Sequence, residues 1–111
     1  MRFGHHSEQF QNNYSEEENR NFTAEFSSIT EAMAEQMKAG TAPSDPVVQL
    51  IVKEHFEFCN RFWKPTREAY KSLAMSYILP SPYRDSYESV AEGLGQYHYD
   101  AMVIWAEENL D

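Results

Sequence analysis

The stretch that decides the fold reads DPVVQLIVKEHFEFCNRF and runs from Asp45 to Phe62. Its first residues form a helix-start signal. Ser44 or Asp45 can accept the free amide hydrogens of the first turn, and Pro46 suits the first helical position because its ring already fixes a helical φ.

The apolar residues that follow recur at the period of an α-helix. The main stripe consists of Val48, Ile51, His55, Phe58 or Cys59, and Phe62. A second flank consists of Val47, Leu50 and Phe56. Such a broad apolar surface indicates a helix that contacts neighbours on two sides. We predict this helix over 46–63, ended by Pro65, which cannot continue the hydrogen-bond ladder.

The same periodicity predicts helices on both sides of this segment. They fall at about 16–39, 66–79 and 93–109, with a short helical turn from Ser81 to about Tyr87. Ser15 suits the N-cap of the first, and Gly40 suits a left-handed residue at its end. Because no segment alternates apolar and polar residues, we expect an all-α fold. We assign residues 1–15 to a mobile N-terminal arm and residues 16–111 to a single domain of four to five helices.

Charge and composition restrict the function. The chain of 111 residues carries a net charge of −9 at pH 7, which disfavours direct binding to nucleic acid and to anionic membranes. No apolar stretch approaches the roughly 18 residues that a membrane helix needs. The N-terminus lacks a hydrophobic signal core. A single cysteine, Cys59, suits a reducing compartment. We therefore expect a cytoplasmic protein, with its oligomeric state left open.

Catalytic and metal-binding patterns are weak. His55 and Cys59 are four residues apart and share a helix face, but two ligands do not make a metal site. A reactive thiolate needs an electropositive setting, whereas Glu54 and Glu57 stand close by. The carboxylates occur in polar runs at helix ends. We therefore predict no catalytic residues, no metal and no cofactor, and we interpret Cys59 as a filler of core space.

Aromatic side chains are the unusual feature: seven Tyr, seven Phe and two Trp. Buried Tyr and Trp need partners for their polar tips. The set therefore indicates either an aromatic cleft with a wet edge or a core with satisfied hydroxyls, and the sequence does not separate the two. The candidate ligand-binding residues are His55, Phe58, Phe62, Trp63, Tyr70, Tyr77, Tyr83, Tyr97 and Trp105.

The order and spacing of one set of residues resemble a known family. The set runs from His55-Phe56-Glu57-Phe58-Cys59-Asn60-Arg61-Phe62-Trp63 through Glu68-Ala69-Tyr70, Leu73, Tyr77 and Tyr83 to Gly93-Leu94, Tyr97 and Asp100-Ala101. It is similar to the TipAS family, the antibiotic-recognition domain at the C-terminus of certain MerR-type transcription activators. The resemblance covers about residues 15–110.

The resemblance implies a globin-like helical bundle. It implies that bulky, multi-ring compounds of the thiopeptide type bind in a cleft between helices, and that the N-terminal part folds over them. The chain lacks the helix-turn-helix of the full activators. We therefore expect a stand-alone drug-sequestering domain. One alternative is a regulatory or protein-interaction domain of an activator without its DNA-binding part. A third hypothesis is a flat cofactor with His55 or His98 as axial ligand.

One departure from the family concerns covalent capture. The best-known pattern of the family has a cysteine on the third predicted helix, where this chain has Ser72. Cys59 lies on a different helix. We therefore expect reversible binding.

Overall fold

The computed structural model describes residues 15–110, which form five helices. They are α1 (Glu16–Lys38), α2 (Pro46–Asn60), α3 (Arg67–Met75), α4 (Pro82–Val90) and α5 (Leu94–Asn109). Within this range there is no strand. The predicted all-α fold is confirmed. The predicted arm, apart from Ser15, lies outside the described residues.

Both ends of α1 follow from local sequence. The Ser15 hydroxyl accepts the amide of Glu18 at 3.1 Å, and the Glu18 carboxylate accepts the amide of Ser15 at 2.9 Å. This reciprocal capping box satisfies two donors that no helical carbonyl reaches. At the other end Gly40 has a φ of 79°, and its amide donates to the Met37 carbonyl at 3.0 Å. The predicted left-handed glycine is confirmed.

Helix α2 begins as expected and ends earlier. The Asp45 carboxylate accepts the amide of Val47, with Pro46 in the first turn. The helix stops at Asn60 rather than at 63. The amides of Phe62 and Trp63 both donate to the carbonyl of Cys59, which tightens the last turn. This turn, rather than Pro65, ends the helix at Asn60, because a proline restricts the residue before it, which is Lys64.

Helix α3 is shorter than the predicted 66–79. Thr66 lies outside the helix as its N-cap, and its hydroxyl accepts the amide of Ala69 at 3.2 Å. The helix ends at Met75. The Ser76 hydroxyl then donates to the Leu73 carbonyl at 2.6 Å. Serine side chains compete for backbone groups in this way and favour helix ends.

Helix α4 extends the predicted turn to Val90, and residues 91–93 join it to α5. Gly93, with a φ of 87°, has no side chain to cap α5. The Glu88 carboxylate does so instead, accepting the amides of Gly93 at 2.9 Å and Gly95 at 3.1 Å. A Cβ on Gly95 would lie 2.2 Å from the Tyr77 carbonyl oxygen. Gly95 is therefore required for the close approach of α5 to the end of α3.

Helix α5 lies at the centre of the packing. It contacts α1, α2, α3 and α4, and its buried side chains include Leu94, His98, Met102 and Trp105. Helix α1 is unevenly packed by comparison. Its fully buried residues all fall within 29–34, whereas only single side chains of its first half are partly covered. The N-terminal half of α1 therefore has little buried area to stabilise it.

Candidate functional site

His55 organises the interior through two hydrogen bonds. It lies on α2 and is fully buried. Its Nδ1 is 2.7 Å from the Tyr70 hydroxyl, and its Nε2 is 3.1 Å from the Tyr77 hydroxyl. A neutral imidazole has one donor and one acceptor nitrogen. One hydroxyl therefore accepts from His55 while the other donates to it.

Two further rings, those of Tyr87 and His98, complete this group. Tyr77 stacks on Tyr87 with ring centroids 4.2 Å apart, and on His98 at 5.6 Å. His98 also packs edge-on against His55 at 4.7 Å. We call His55, Tyr70, Tyr77, Tyr87 and His98 the inner cluster. Each of its members is at most 2% exposed.

The inner cluster is uncharged at neutral pH. Burial lowers the pKa of His55 to about 3. Burial, and secondarily the nearby His55, lower the pKa of His98 well below its usual range. Burial also raises the pKa of Tyr70 and of Tyr77 well above that of free tyrosine. Both imidazoles are therefore neutral and all three phenols protonated around pH 7.

A second group of rings lies at the surface, where the N-terminal half of α1 meets the end of α2. Its members are Phe22, Phe26, Phe58 and Phe62, all half-buried. We call these four residues the outer cluster. Phe22 meets Phe62 edge-on at 4.8 Å, and Phe58 meets Phe62 at 5.3 Å. Aromatic edge contacts of this kind add to simple area burial.

Arg61 covers this surface from the solvent side. Its guanidinium lies 5.1 Å from the Phe58 ring centroid and 6.0 Å from that of Phe22. It also pairs with Glu25 at 2.6 Å. The outer cluster is thus apolar with a cation and a carboxylate at its rim.

Phe26 connects the two clusters. Its ring centroid is 5.9 Å from that of Phe58, 6.1 Å from His55 and 6.0 Å from Tyr87. A continuous series of rings therefore runs from the surface at Phe58 to the interior.

The structure distributes the predicted site residues over several environments. His55, Tyr70, Tyr77 and Trp105 are buried in the core, where Trp105 packs on Phe56 at 4.9 Å. Partly buried are Phe58, Phe62, Tyr83 and Tyr97, and Trp63 is 39% exposed. The Tyr97 hydroxyl donates to the Thr41 carbonyl at 2.7 Å, so this side chain holds the loop between α1 and α2.

Four residues of the two clusters were not among the candidate ligand-binding residues: Phe22, Phe26, Tyr87 and, apart from its mention as an axial ligand, His98. Phe22 and Phe26 begin the apolar stripe of the first predicted helix, which is a signal for packing rather than for a site. Tyr87 and His98 carry no local signal, because their neighbours come from distant parts of the chain.

Cys59 is unsuited to nucleophilic chemistry. It is 8% exposed, and its Sγ lies 4.0 Å from both ring nitrogens of His55. Burial raises the pKa of the thiol to about 12. A thiol is the unreactive form, so Cys59 behaves as a small apolar residue, as the sequence indicated.

Two alternatives can be compared with this geometry. Among residues 15–110, no three His, Cys, Asp or Glu side chains are grouped closely enough to hold a metal. The histidine rings are in direct contact with each other and with tyrosines. Both nitrogens of His55 are already hydrogen-bonded to tyrosine hydroxyls, and both histidines are fully buried. This arrangement therefore does not favour the hypothesis of a flat cofactor with His55 or His98 as axial ligand.

The described surface also has a depression away from the two clusters. It lies between α1 and α4 and is lined by Glu31, Ala34, Glu35, Lys38 and Val90. It does not touch either cluster, and its mostly charged lining offers little to an apolar ligand. No helix within residues 15–110 has both the length and the apolar character to cross a membrane.

Two comparisons with known proteins find a match for this chain. The model of the TipAS antibiotic-recognition domain matches residues 2–105. The chain is also 30% identical over 97 residues to the HTH-type transcriptional activator mta of Bacillus subtilis (strain 168). That match covers 85% of this chain and 36% of the activator. No solved structure matches the chain significantly.

The fold and the match together define the class of protein as a helical recognition domain of the kind found in transcription regulators. The chain belongs to the TipAS antibiotic-recognition domain family. It spans about a third of the length of the related activator.

Proposed function

We propose that this chain binds a bulky, multi-ring natural product of the thiopeptide type, reversibly and without catalysis. The ligand site is a cleft that begins at the outer cluster. The observation that carries the proposal is the continuous series of rings from Phe58 through Phe26 to His55. It combines with membership of a family of antibiotic-recognition domains.

The physical basis is the mixture of apolar and polar groups along this path. Ligand sites are mostly apolar with a few polar groups that fix orientation. The phenylalanines supply apolar area, and Arg61 and Glu25 supply polar groups at the rim. The N-terminal half of α1, which has few buried contacts, forms one side of the cleft and can shift to admit a ligand.

Reversible binding follows from the state of Cys59. Its thiol is buried and protonated at neutral pH. The position that carries a cysteine in the family pattern is Ser72, which is exposed on α3. A neutral hydroxyl there adds to an electrophilic ligand only with a general base, and the family pattern relies on a thiol.

The similarity to a longer activator favours a second interpretation of the same binding event. Since the match covers 36% of that longer protein, a domain of this kind can serve as the effector-sensing part of a transcription regulator. In that case ligand binding would change a partner's activity. If the domain acts without such a partner, binding would only sequester the ligand.

The proposal is tested by titrating the protein with a purified thiopeptide antibiotic and following tryptophan fluorescence and heat of binding. We expect saturable, one-to-one binding that weakens at least tenfold in Phe58→Ala, because a large apolar contact is lost. The matched control is Leu50→Ala on the same helix. Leu50 is 62% exposed and lies two turns from Phe58, so its variant should bind normally.

Three results would overturn the proposal. They are no binding by the wild-type protein, equal loss in both variants, and a stoichiometric adduct on Cys59 in the mass spectrum after incubation with a dehydroalanine-bearing thiopeptide. The last result would specifically refute reversible capture.

A further inference from the structure

The two buried histidines differ in one respect. Both are fully buried and in contact with each other. His55 has a hydroxyl partner on each nitrogen. His98 has no hydrogen-bond partner on either nitrogen among the described residues.

This difference has an energetic consequence. A buried donor or acceptor without a partner loses its hydration and receives nothing in return. An apolar ring of similar shape at position 98 would avoid that cost. A polar group kept in the core against stability suggests that it meets its partner in another state of the protein.

His98 lies close to the proposed ligand path. Its ring packs on Tyr87 at 5.2 Å, and Tyr87 packs on Phe26 at 6.0 Å. Phe26 is the half-buried ring through which the path leads from Phe58 to the interior. A displacement of Phe26 with the first half of α1 would therefore uncover Tyr87, and His98 lies directly behind it.

We propose that His98 is the hydrogen-bonding residue of the ligand site and recognises an uncharged, planar ligand group that carries a donor and an acceptor side by side. This inference rests on the proposed function and deepens it. A carboxamide or an amide-linked azole has the required pair of groups. A given nitrogen of a neutral imidazole is a donor in one tautomer and an acceptor in the other. A ligand group with both a donor and an acceptor can therefore hydrogen-bond to His98 in either tautomer.

The requirement for an uncharged group follows from the surroundings. The groups that face His98 are the ring of His55 and the phenols of Tyr77 and Tyr87. All are neutral at pH 7, so no opposite charge among them compensates an ion. A carboxylate or an amidinium would lose its hydration there without a counterion.

The first test uses three probes of the same shape and different charge: benzamide, benzoate and benzamidine. The full chain is labelled with ¹⁵N, and the ring nitrogen shifts of His98 are followed during titration of each probe, with toluene as an apolar control. We expect benzamide to move the His98 ring resonances in a saturable manner. Benzoate, benzamidine and toluene should leave them in place.

The second test compares the two histidines. We expect His98→Phe to raise the melting temperature, since unpaired polar atoms are removed, and to weaken benzamide binding at least tenfold. His98→Leu serves as a second variant if the larger ring disturbs packing. His55→Phe is the matched control and should lower the melting temperature, because two tyrosine hydroxyls lose their partner.

The inference is overturned if benzamide leaves the His98 ring unchanged. It is also overturned if the charged probes bind there equally well, or if His98→Phe and His98→Leu destabilise the protein with affinity intact. Failure of the proposed function is a separate result. A protein that binds no thiopeptide but whose His98 ring responds to benzamide refutes that function alone. A protein whose thiopeptide affinity survives both His98 variants refutes the role of His98 alone.

Discussion

The inner and outer clusters are both built from rings and differ in where their polar atoms lie. In the inner cluster, tyrosines and histidines are sealed from solvent, and Tyr70 and Tyr77 direct their hydroxyls to His55. The outer cluster has only phenylalanines at a half-buried surface, with Arg61 and Glu25 at its rim. Of the two possibilities that the sequence left open, Tyr70 and Tyr77 fit the core with satisfied hydroxyls.

The difference shows what each region can contribute. A satisfied polar network in a core rigidifies the packing, since each member is costly to leave unpaired. Uncovering a half-buried apolar surface costs little free energy, and a ligand that covers it is stabilised by the apolar area it buries. The hydrogen-bonded part of the inner cluster, His55 with Tyr70 and Tyr77, therefore accounts mainly for stability. The outer cluster accounts for binding, together with the proposed role of His98. The following experiments test this division.

The largest effect is expected for Tyr70→Ala in the inner cluster. Removing a fully buried ring should cost about 3–5 kcal/mol of unfolding free energy. Tyr70→Phe keeps the ring and leaves the Nδ1 of His55 without its hydroxyl, and should cost about 1–3 kcal/mol. Urea denaturation measures both. A loss below 1 kcal/mol in Tyr70→Ala would mean that the ring is not part of the core in solution.

Acid should destabilise the protein through the two histidines. Their folded pKa values are lowered, while the unfolded value is about 6.5. Below pH 6.5 the unfolded state binds more protons, so stability present at neutral pH is lost as the pH falls. The expected slope is about 1.4 kcal/mol per pH unit for each histidine.

The measurement is the unfolding free energy between pH 6.5 and pH 5. This window lies above the range in which Glu88 and Glu107, whose pKa values are lowered by hydrogen bonds, begin to contribute. His98→Phe should remove the contribution of one histidine to the slope of unfolding free energy against pH. Ser72→Ala serves as a surface control. Stability that does not change with pH in this window would contradict neutral burial of both rings.

In the outer cluster, Phe58→Ala should have a smaller effect on stability than on binding. Phe58 is half-buried, so we expect a loss of about 1 kcal/mol, together with the drop in thiopeptide affinity described above. Melting and binding measurements on the same preparation of Phe58→Ala compare its loss of stability with its loss of affinity. A stability loss as large as that of Tyr70→Ala would erase the distinction between the clusters.

The smallest effect concerns Arg61 at the rim. Arg61→Gln removes the cation above Phe58 and the pair with Glu25, and should cost less than about 1 kcal/mol because both interactions are exposed. Glu25→Gln retains the cation–ring contact and should cost less still. Thermal melts at low and high salt separate the two: only the ion-pair part is screened. A large, salt-independent loss in both variants would show that this rim is more buried than the structure indicates.

Much of the secondary structure could be predicted from residues close together in the chain. The starts of α1 to α4 are determined by a capping side chain and its neighbours, as at Ser15, Asp45 and Ser81. The left-handed glycine at Gly40 is equally local. The ends of α2 and α3 were predicted three to four residues too long, because the last turns depend on competing hydrogen bonds rather than on periodicity.

The candidate site was only partly accessible to such reasoning. The stripe on α2 placed His55, Phe58 and Phe62 on one face. The pairing of His55 with Tyr70 and Tyr77 spans separations of 15 and 22 residues, and no spacing rule reaches that far. Tyr70 and Tyr77 carried the same sequence signal as Tyr97, yet Tyr97 bonds to a loop carbonyl instead.

The sequence by itself determined the helices, the family and the acidic, aromatic character of this protein, because capping, periodicity and composition act over a few neighbouring residues. Only the tertiary structure decided which rings are sealed and which border the surface. That outcome depends on which helices meet, since a hydroxyl is satisfied or a ring covered by residues distant in the chain. His98 shows this most directly, because only the assembled core leaves its two nitrogens without a partner among the described residues.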